Sequence, residues 1–286
     1  MQQTNHGSEI GSQAGNSFFC EKTVFITGAG SGIGLELARA FVKAGAMVIA
    51  TDMNMESLDR LARELGPNCQ IYQLNVGDED GFQRLAARLD AEGNLPDIVI
   101  NNAGIAYLAS FTDTSSDMWK RTIDVNILGV VYGCRAFIPL WQHSGKAGHL
   151  VNLASVASVA PMPSMVAYVA SKYAVEGLTE ALAMELVDSN IKVCCVHPGV
   201  INTPIVRQDD KTSIPAEQAQ RIHRHYKEKG ATPAKVADAI LRGIKKGKAS
   251  IFVGPGSTLA PVMKRILPRS WYRALLRNQA RQVGYL

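Results

Sequence analysis

A doubly wound α/β fold around a parallel sheet of about seven strands is predicted by three features of the 286-residue sequence. Strand-like runs alternate strictly with helix-period segments. The strand runs are continuously apolar rather than alternating, and a glycine-rich turn follows directly on the first of them. Strict alternation is the signature of βαβ units, and unbroken apolar character marks strands covered on both faces.

The elements follow in order. Strand runs are "TVFITG", "AMVIATD", "CQIYQLN", "PDIVINNAG", "GHLVNLAS", "IKVCCVHPG" and "ASIFVGP". Between them stand the periodic segments "IGLELARAFVKAG", "MESLDRLARELG", "EDGFQRLAARLDAEG", "SDMWKRTIDVNILGVVYGCRAFIPLWQ", "VAYVASKYAVEGLTEALAMELVD" and "PAKVADAILRGIKKG". Several close on Gly, which stops a helix by accepting the left-handed backbone there. No Pro/Ser-rich linker divides the chain, so one domain is expected over residues 22–260. Residues 1–21 are polar and read as a disordered tail, without the basic start and apolar centre of a secretory signal. The rhythm breaks after "HPGVINTP", where a polar stretch over about 204–232 sits at the C-terminal edge of a late strand, the usual place of a substrate loop.

Composition narrows the function classes. With 47% hydrophobic and 19% charged residues the chain is ordinary for a globular protein, and no apolar run approaches the roughly 20 residues that span a bilayer. The cysteines, Cys20, Cys69, Cys134, Cys194 and Cys195, form no C-x-x-C pair and have no His at ligand spacing. Buried thiols in a reducing, cytoplasmic setting are expected, with no metal site. From Pro261 onward there are six bases, Lys264, Arg265, Arg269, Arg273, Arg277 and Arg281, and no acid. The net charge of +5 is therefore a property of that segment, and the rest is close to neutral.

The turn "TGAGSGIG" carries Gly28, Gly32 and Gly34. Glycines serve where the backbone takes positive φ and where a pyrophosphate must approach the main chain, and the following helix start offers free N–H groups. Directly after a first strand this pattern points to a dinucleotide. Asp52 ends the second strand about 20 residues later, where a carboxylate accepts from the ribose hydroxyls and repels a 2′-phosphate. No Arg or Lys adjoins it in "TDMN", so NAD is expected over NADP.

With "NNAG", "DVN", "LVNLAS", "YVASK" and "HPGVINT" following in order, the sequence resembles the short-chain dehydrogenase/reductase family from about Lys22 to Gly254. The resemblance implies a single-domain Rossmann fold and an NAD-dependent oxidoreductase. Its catalytic set maps onto Ser155, Tyr168 and Lys172, assisted by Asn126, which would support a water link from Lys172 to solvent. It implies cofactor contacts from Gly28, Ser31, Gly32, Ile33 and Gly34, from Asp52 and Met53, and from Asn75 and Val76. Further contacts fall on Asn102, Ala103 and Gly104, on Tyr168 and Lys172, and on Pro198, Gly199, Val200, Ile201 and Thr203. Asn75 departs from the Asp of many relatives, and its amide is expected still to meet the adenine amino group. Homodimers or homotetramers paired through the long helices after the fourth and fifth strands are also implied.

The chemistry has a physical basis. Tyr168 and Lys172 are four apart in a helical segment and share a face. A cation beside a phenol favours phenolate, so Lys172 is expected to lower the pKa of Tyr168 toward the working range. Tyr168 then serves as general acid or base, Ser155 steadies the substrate oxygen, and Tyr173 is left to packing.

The apolar "VASVAPMPSMVA" after Ser155 favours a lipophilic hydroxyl or keto substrate of steroid, retinoid or fatty-chain type. Small polar alcohols, and a non-catalytic NAD-binding sensor, are the competing readings. If residues 269–281 are helical, they present a basic stripe with Trp271, Leu275 and Leu276 on an apolar side. Peripheral membrane contact through 261–286 competes there with packing on the protein. Nucleic-acid binding is not expected, since no recognised fold surrounds the bases.

Overall fold

The structure, a computed structural model, describes residues 18–206 and 212–286. Seven strands form one sheet: β1 (Thr23–Thr27), β2 (Met47–Asp52), β3 (Cys69–Gln73), β4 (Ile98–Asn101), β5 (Gly148–Leu153), β6 (Ile191–Pro198) and β7 (Ser250–Val253). Their order is β3-β2-β1-β4-β5-β6-β7, with every pairing parallel. The order reverses direction between β1 and β4, and a crevice opens there beyond the strand C-termini, as in other open α/β sheets.

Helices α1 (Gly32–Lys43), α2 (Met55–Leu65) and α8 (Pro233–Lys245) cover one face. Their Leu37, Phe41, Leu58, Val236 and Ile240 pack with Val24, Ile26, Val48 and Ala50 of the sheet. On the other face lie α3 (Glu79–Ala91), α5 (Gly129–Ser144) and α6 (Val166–Glu185). Phe82, Leu89, Phe137, Trp141 and Val175 pack there on Phe25, Ile49 and Val99. Successive strand residues thus enter opposite cores, which explains why the runs lack polar alternation.

Helix α4 (Ser116–Ile123) passes through a π-turn (Asp124–Leu128) into α5. The combined Ser116–Ser144 run of 29 residues, with mean hydropathy 1.4 in its most apolar window, is long and apolar enough to cross a membrane by length and composition. This corrects the expectation that nothing in the chain would qualify. Here its Phe137 and Trp141 are fully buried against the sheet.

Further points bear on the two ends of the chain and the polar stretch. Residues 1–17 of the expected tail, and 207–211 of the expected substrate loop, lie outside the described residues. Residues 18–21 form a turn rather than a disordered tail, because Phe19 is buried edge-on against Phe41 at 5.2 Å. The polar stretch contains α7 (Ala216–Lys229), and the basic segment folds as α9 (Ala260–Ile266) and α10 (Arg269–Val283). Tyr272 and Ala280 are buried on the inward side of α10, whereas Trp271, expected on the apolar side, is 69% exposed.

Candidate functional site

The glycine turn joins β1 to α1 at the head of the crevice. Gly28 and Gly32 have φ of +67° and +55°, a region that L side chains rarely enter. Gly34 is required for another reason, since a Cβ there would lie 2.1 Å from the Gly28 carbonyl oxygen. The turn is latched to β4: Asn102 Nδ2 donates to the carbonyls of Thr27 (2.8 Å) and Gly28 (3.2 Å). The Thr27 hydroxyl in turn accepts from the backbone N–H groups of Asn102 and Ala103, both at 3.0 Å. On the other side Asp52 Oδ2 accepts from Gly30 N (3.0 Å) and Oδ1 from Asn54 N (2.9 Å). These bonds hold the carboxylate beside the turn, at the end of β2.

A cavity of about 360 Å³ runs from this turn along the sheet edge. Gly28, Ser31, Gly32, Ile33, Asp52, Met53, Val76, Asn102, Ala103 and Gly104 line one end. Ser155, Tyr168, Lys172, Pro198, Gly199, Val200, Ile201 and Thr203 line the rest. Of the expected site residues, Gly34, Asn75 and Asn126 do not line it. Gly34 packs beneath the turn. Asn75 is exposed, and its Oδ1 accepts from Gly77 N at 3.1 Å, so the side chain closes its own turn rather than facing an adenine. Leu74 lines the cavity instead.

Asn126 sits fully buried in the π-turn, a local distortion often found at functional sites. Its Nδ2 donates to Ile105 O (2.9 Å) and Ser171 Oγ (3.0 Å), and its Oδ1 accepts from Ile105 N (2.8 Å). The side chain expected to support a water link therefore clamps the chain after Gly104 to helix α6. It is a positioning residue here.

Ser155 begins the short turn after β5, accepting from Ala157 N at 3.1 Å. Tyr168 and Lys172, one turn apart on α6, point to the same side as Ser155. The Lys172 ammonium donates to Leu153 O at 2.8 Å and lies 5.6 Å from the Tyr168 ring centroid. Burial pushes the Tyr168 phenol up to about 12, while its hydrogen bond with Ser155 acts in the opposite direction. Burial likewise brings Lys172 down to about 8. The expected lowering of the phenol by Lys172 is thus reversed, because desolvation of two enclosed groups outweighs a charge whose proton is directed at Leu153. Tyr173 is not packed in a core either. It is exposed, and Lys264 lies over its ring at 4.6 Å while donating to its hydroxyl at 3.2 Å.

This arrangement fits a dinucleotide by the shape of its cradle: positive-φ glycines, a held carboxylate at a strand end and a crevice at the sheet's switch point. Comparison with known proteins agrees. The family described as short chain dehydrogenase matches residues 22–213.

The chain belongs to the short-chain dehydrogenase family.

A protein named "Probable oxidoreductase EphD" from Mycobacterium tuberculosis (strain ATCC 25618 / H37Rv) is 36% identical over 274 residues, which cover 92% of this chain and 45% of that protein. The chain thus spans less than half the length of that relative. Cyclopentanol dehydrogenase from Comamonas sp. (strain NCIMB 9872) is 34% identical over 226 residues, covering 77% of this chain and 88% of that one. Among solved structures, a short chain dehydrogenase/reductase from Burkholderia phymatum in complex with NAD superposes with a TM-score of 0.75 at 28% identity, covering 82% of this chain and 89% of that one. The closed form of a serine dehydrogenase complexed with NADP+ superposes at 0.72 and 29% identity, covering 82% and 94%.

In this short-chain dehydrogenase the far end of the cavity is built by residues that the sequence did not single out. Tyr226 of α7 and Tyr285, just after α10, both line it. Their hydroxyls are 3.0 Å apart, and Tyr285 OH donates to Met165 Sδ at 3.1 Å. The Tyr285 carbonyl accepts from Gln218 Nε2 at 2.8 Å, tying the C-terminal segment to α7. The available signal was Gly284 before an aromatic residue: Gly284 takes φ +98° as the helix stop and turns Tyr285 inward.

Proposed function

We propose that the protein is an NAD-dependent dehydrogenase that interconverts a secondary alcohol and a ketone on a lipophilic substrate. The observation that carries this reading is the convergence of Ser155, Tyr168 and Lys172 on one cavity that also reaches the glycine turn and Asp52. Beyond the three polar groups the cavity wall is mostly apolar, with Val156, Ala160, Met162, Met165, Ile205, Val206 and Val283; Arg121 and the tyrosines Tyr226 and Tyr285 also line it, the two hydroxyls paired with each other. A substrate carbon skeleton gains by burial there, while the several hydroxyls of a polyol would find few partners on that wall. The relative that acts on cyclopentanol, as its name says, is consistent with an alicyclic alcohol, and the neighbour from Burkholderia phymatum holds NAD.

The residues divide the work. The glycine turn and the start of α1 hold the phosphates, and Asp52 accepts from the ribose hydroxyls. When bound, the nicotinamide supplies hydride acceptance or donation. Ser155 hydrogen-bonds the substrate oxygen and fixes it beside Tyr168. Tyr168 takes the hydroxyl proton in the oxidation direction and returns one to the carbonyl oxygen in reduction. Lys172 steadies the phenolate when that proton is gone. We also infer a homodimer or homotetramer through α5 and α6, supported by the family resemblance and by the outward stripe Ala170, Tyr173, Gly177, Ala181 and Met184, small or apolar and exposed.

The test is NADH formation across a panel of secondary alcohols, from alicyclic and steroid-like compounds to polyols. Activity is expected with lipophilic alcohols, and Tyr168→Phe should lower kcat by roughly 10²–10⁴ while leaving NAD binding within a few fold. Turnover confined to polyols would refute the substrate class. Tight NAD binding without turnover on any alcohol would favour a sensor.

A further inference from the structure

We infer that the outer face of α9 and the first turns of α10 form a docking surface for an anionic lipid bilayer. The inward side of this segment is fixed by contacts with the body of the protein. Ala260 is buried in a small cluster with Val159 and Ala160, and Tyr272 OH donates to Val159 O at 2.8 Å. Lys264 is turned inward, donating to Tyr173 OH.

With those positions held, Leu259, Val262 and Ile266 follow at spacings of three and four and fall on one outward ridge. They are 67%, 52% and 69% exposed, and Trp271 beyond Pro268 is 69% exposed. Large apolar side chains clustered on a surface mark an interaction site more often than scattered ones do. Arg265, Arg269 and Arg273 flank the ridge, all exposed, and none makes an ion pair among the described residues.

Charge selects the occupant. The segment from Pro261 holds six bases and no acid. A second copy meeting this face about a two-fold axis would set those arginines against their own counterparts. An anionic headgroup layer neutralises them while the ridge and Trp271 enter the acyl boundary, where indole is favoured. Val156 and Ala160, which pack beside Ala260, also line the catalytic cavity. The docking face therefore stands one layer of side chains behind the substrate wall. That link to a lipophilic substrate rests on the proposed function, whereas vesicle binding does not and is measured without substrate.

The experiment is co-sedimentation of the full chain with vesicles of phosphatidylcholine alone and of phosphatidylcholine with equimolar phosphatidylserine. Binding is expected on the anionic vesicles and its loss at high salt. Replacing Arg265, Arg269 and Arg273 together by Gln should weaken partitioning on the order of 100-fold. The double variant Val262→Asp, Ile266→Asp should abolish it, with the thermal midpoint and NADH formation unchanged to show that the fold is intact. Absence of binding to the anionic vesicles, or equal binding by the variants, would overturn the inference. So would an oligomer that the Val262→Asp, Ile266→Asp variant splits in light scattering, because the face would then be covered by a second copy.

Discussion

Burial pushes the Tyr168 phenol up to about 12, so on the proposed mechanism it is held protonated at neutral pH, as a proton donor to a carbonyl oxygen must be. Oxidation needs the phenolate, and its rate should climb with pH across the alkaline range, while reduction falls over the same range. Two buried histidines give a separate signature. Burial brings His149 and His197 down to about 4, whereas an unfolded chain binds those protons near 6.5. The unfolded state then binds more protons as pH falls from 6.5 to 4, so their contribution is present above that window and lost through it, roughly 3 kcal/mol for each. Urea unfolding at pH 7 and near pH 4 should show this loss, and it should be smaller in a His149→Gln, His197→Asn double variant. One contact was legible at this scale from spacing: four apart in a helical segment, Tyr168 and Lys172 share a face. The direction of the phenol's shift was not legible, because it depends on how far residues 226 and 285 enclose it. Nor was the turn at Asn75, whose amide oxygen accepts from Gly77 N.

At the scale of elements, the seven strands and six helical segments between them, one holding both α4 and α5, could be read from the run lengths and closing glycines, since each buries a periodic face in the core; α7 was not among them. The π-turn at Asn126 could not, because one extra residue in a turn leaves no mark on an apolar pattern. The C-terminal segment was legible as a helix with a basic stripe, while the side it buries was set by partners far away, Val159 and Gln218 among them. This wall of the cavity can be tested directly. Tyr285→Ala removes the hydroxyl facing Tyr226 and opens the far end of the cavity. KM for bulky lipophilic alcohols is expected to rise about 10–100-fold, and kcat to change far less, since the group touches no reacting atom. Tyr285→Phe keeps the wall and leaves Tyr226 OH without that partner, so its effect on KM should be several-fold smaller.

For the whole molecule, cofactor binding and folding are linked, because the cradle exists only when β1, β2 and β4 are aligned. NAD at about 100 times its Kd should add roughly 2.7 kcal/mol to the unfolding free energy and raise the thermal midpoint by about 5 °C. NADP at the same concentration should give a smaller rise, and Asp52→Ala should narrow the difference. Equal rises in the unmutated protein would show that Asp52 does not discriminate. The topology that produces this linkage also divides the cleft by inheritance. Residues 28–104 supply the end with the glycine turn, and residues 153–206 with Tyr226, Val283 and Tyr285 supply the end with the apolar wall. The two ends come largely from separate stretches, joined where Asn126 bridges Ile105 and Ser171. A lineage carrying this architecture can therefore reshape the apolar wall through Val156, Met162, Met165 and Val283, which lie apart from the glycine turn and Asp52 in the sequence.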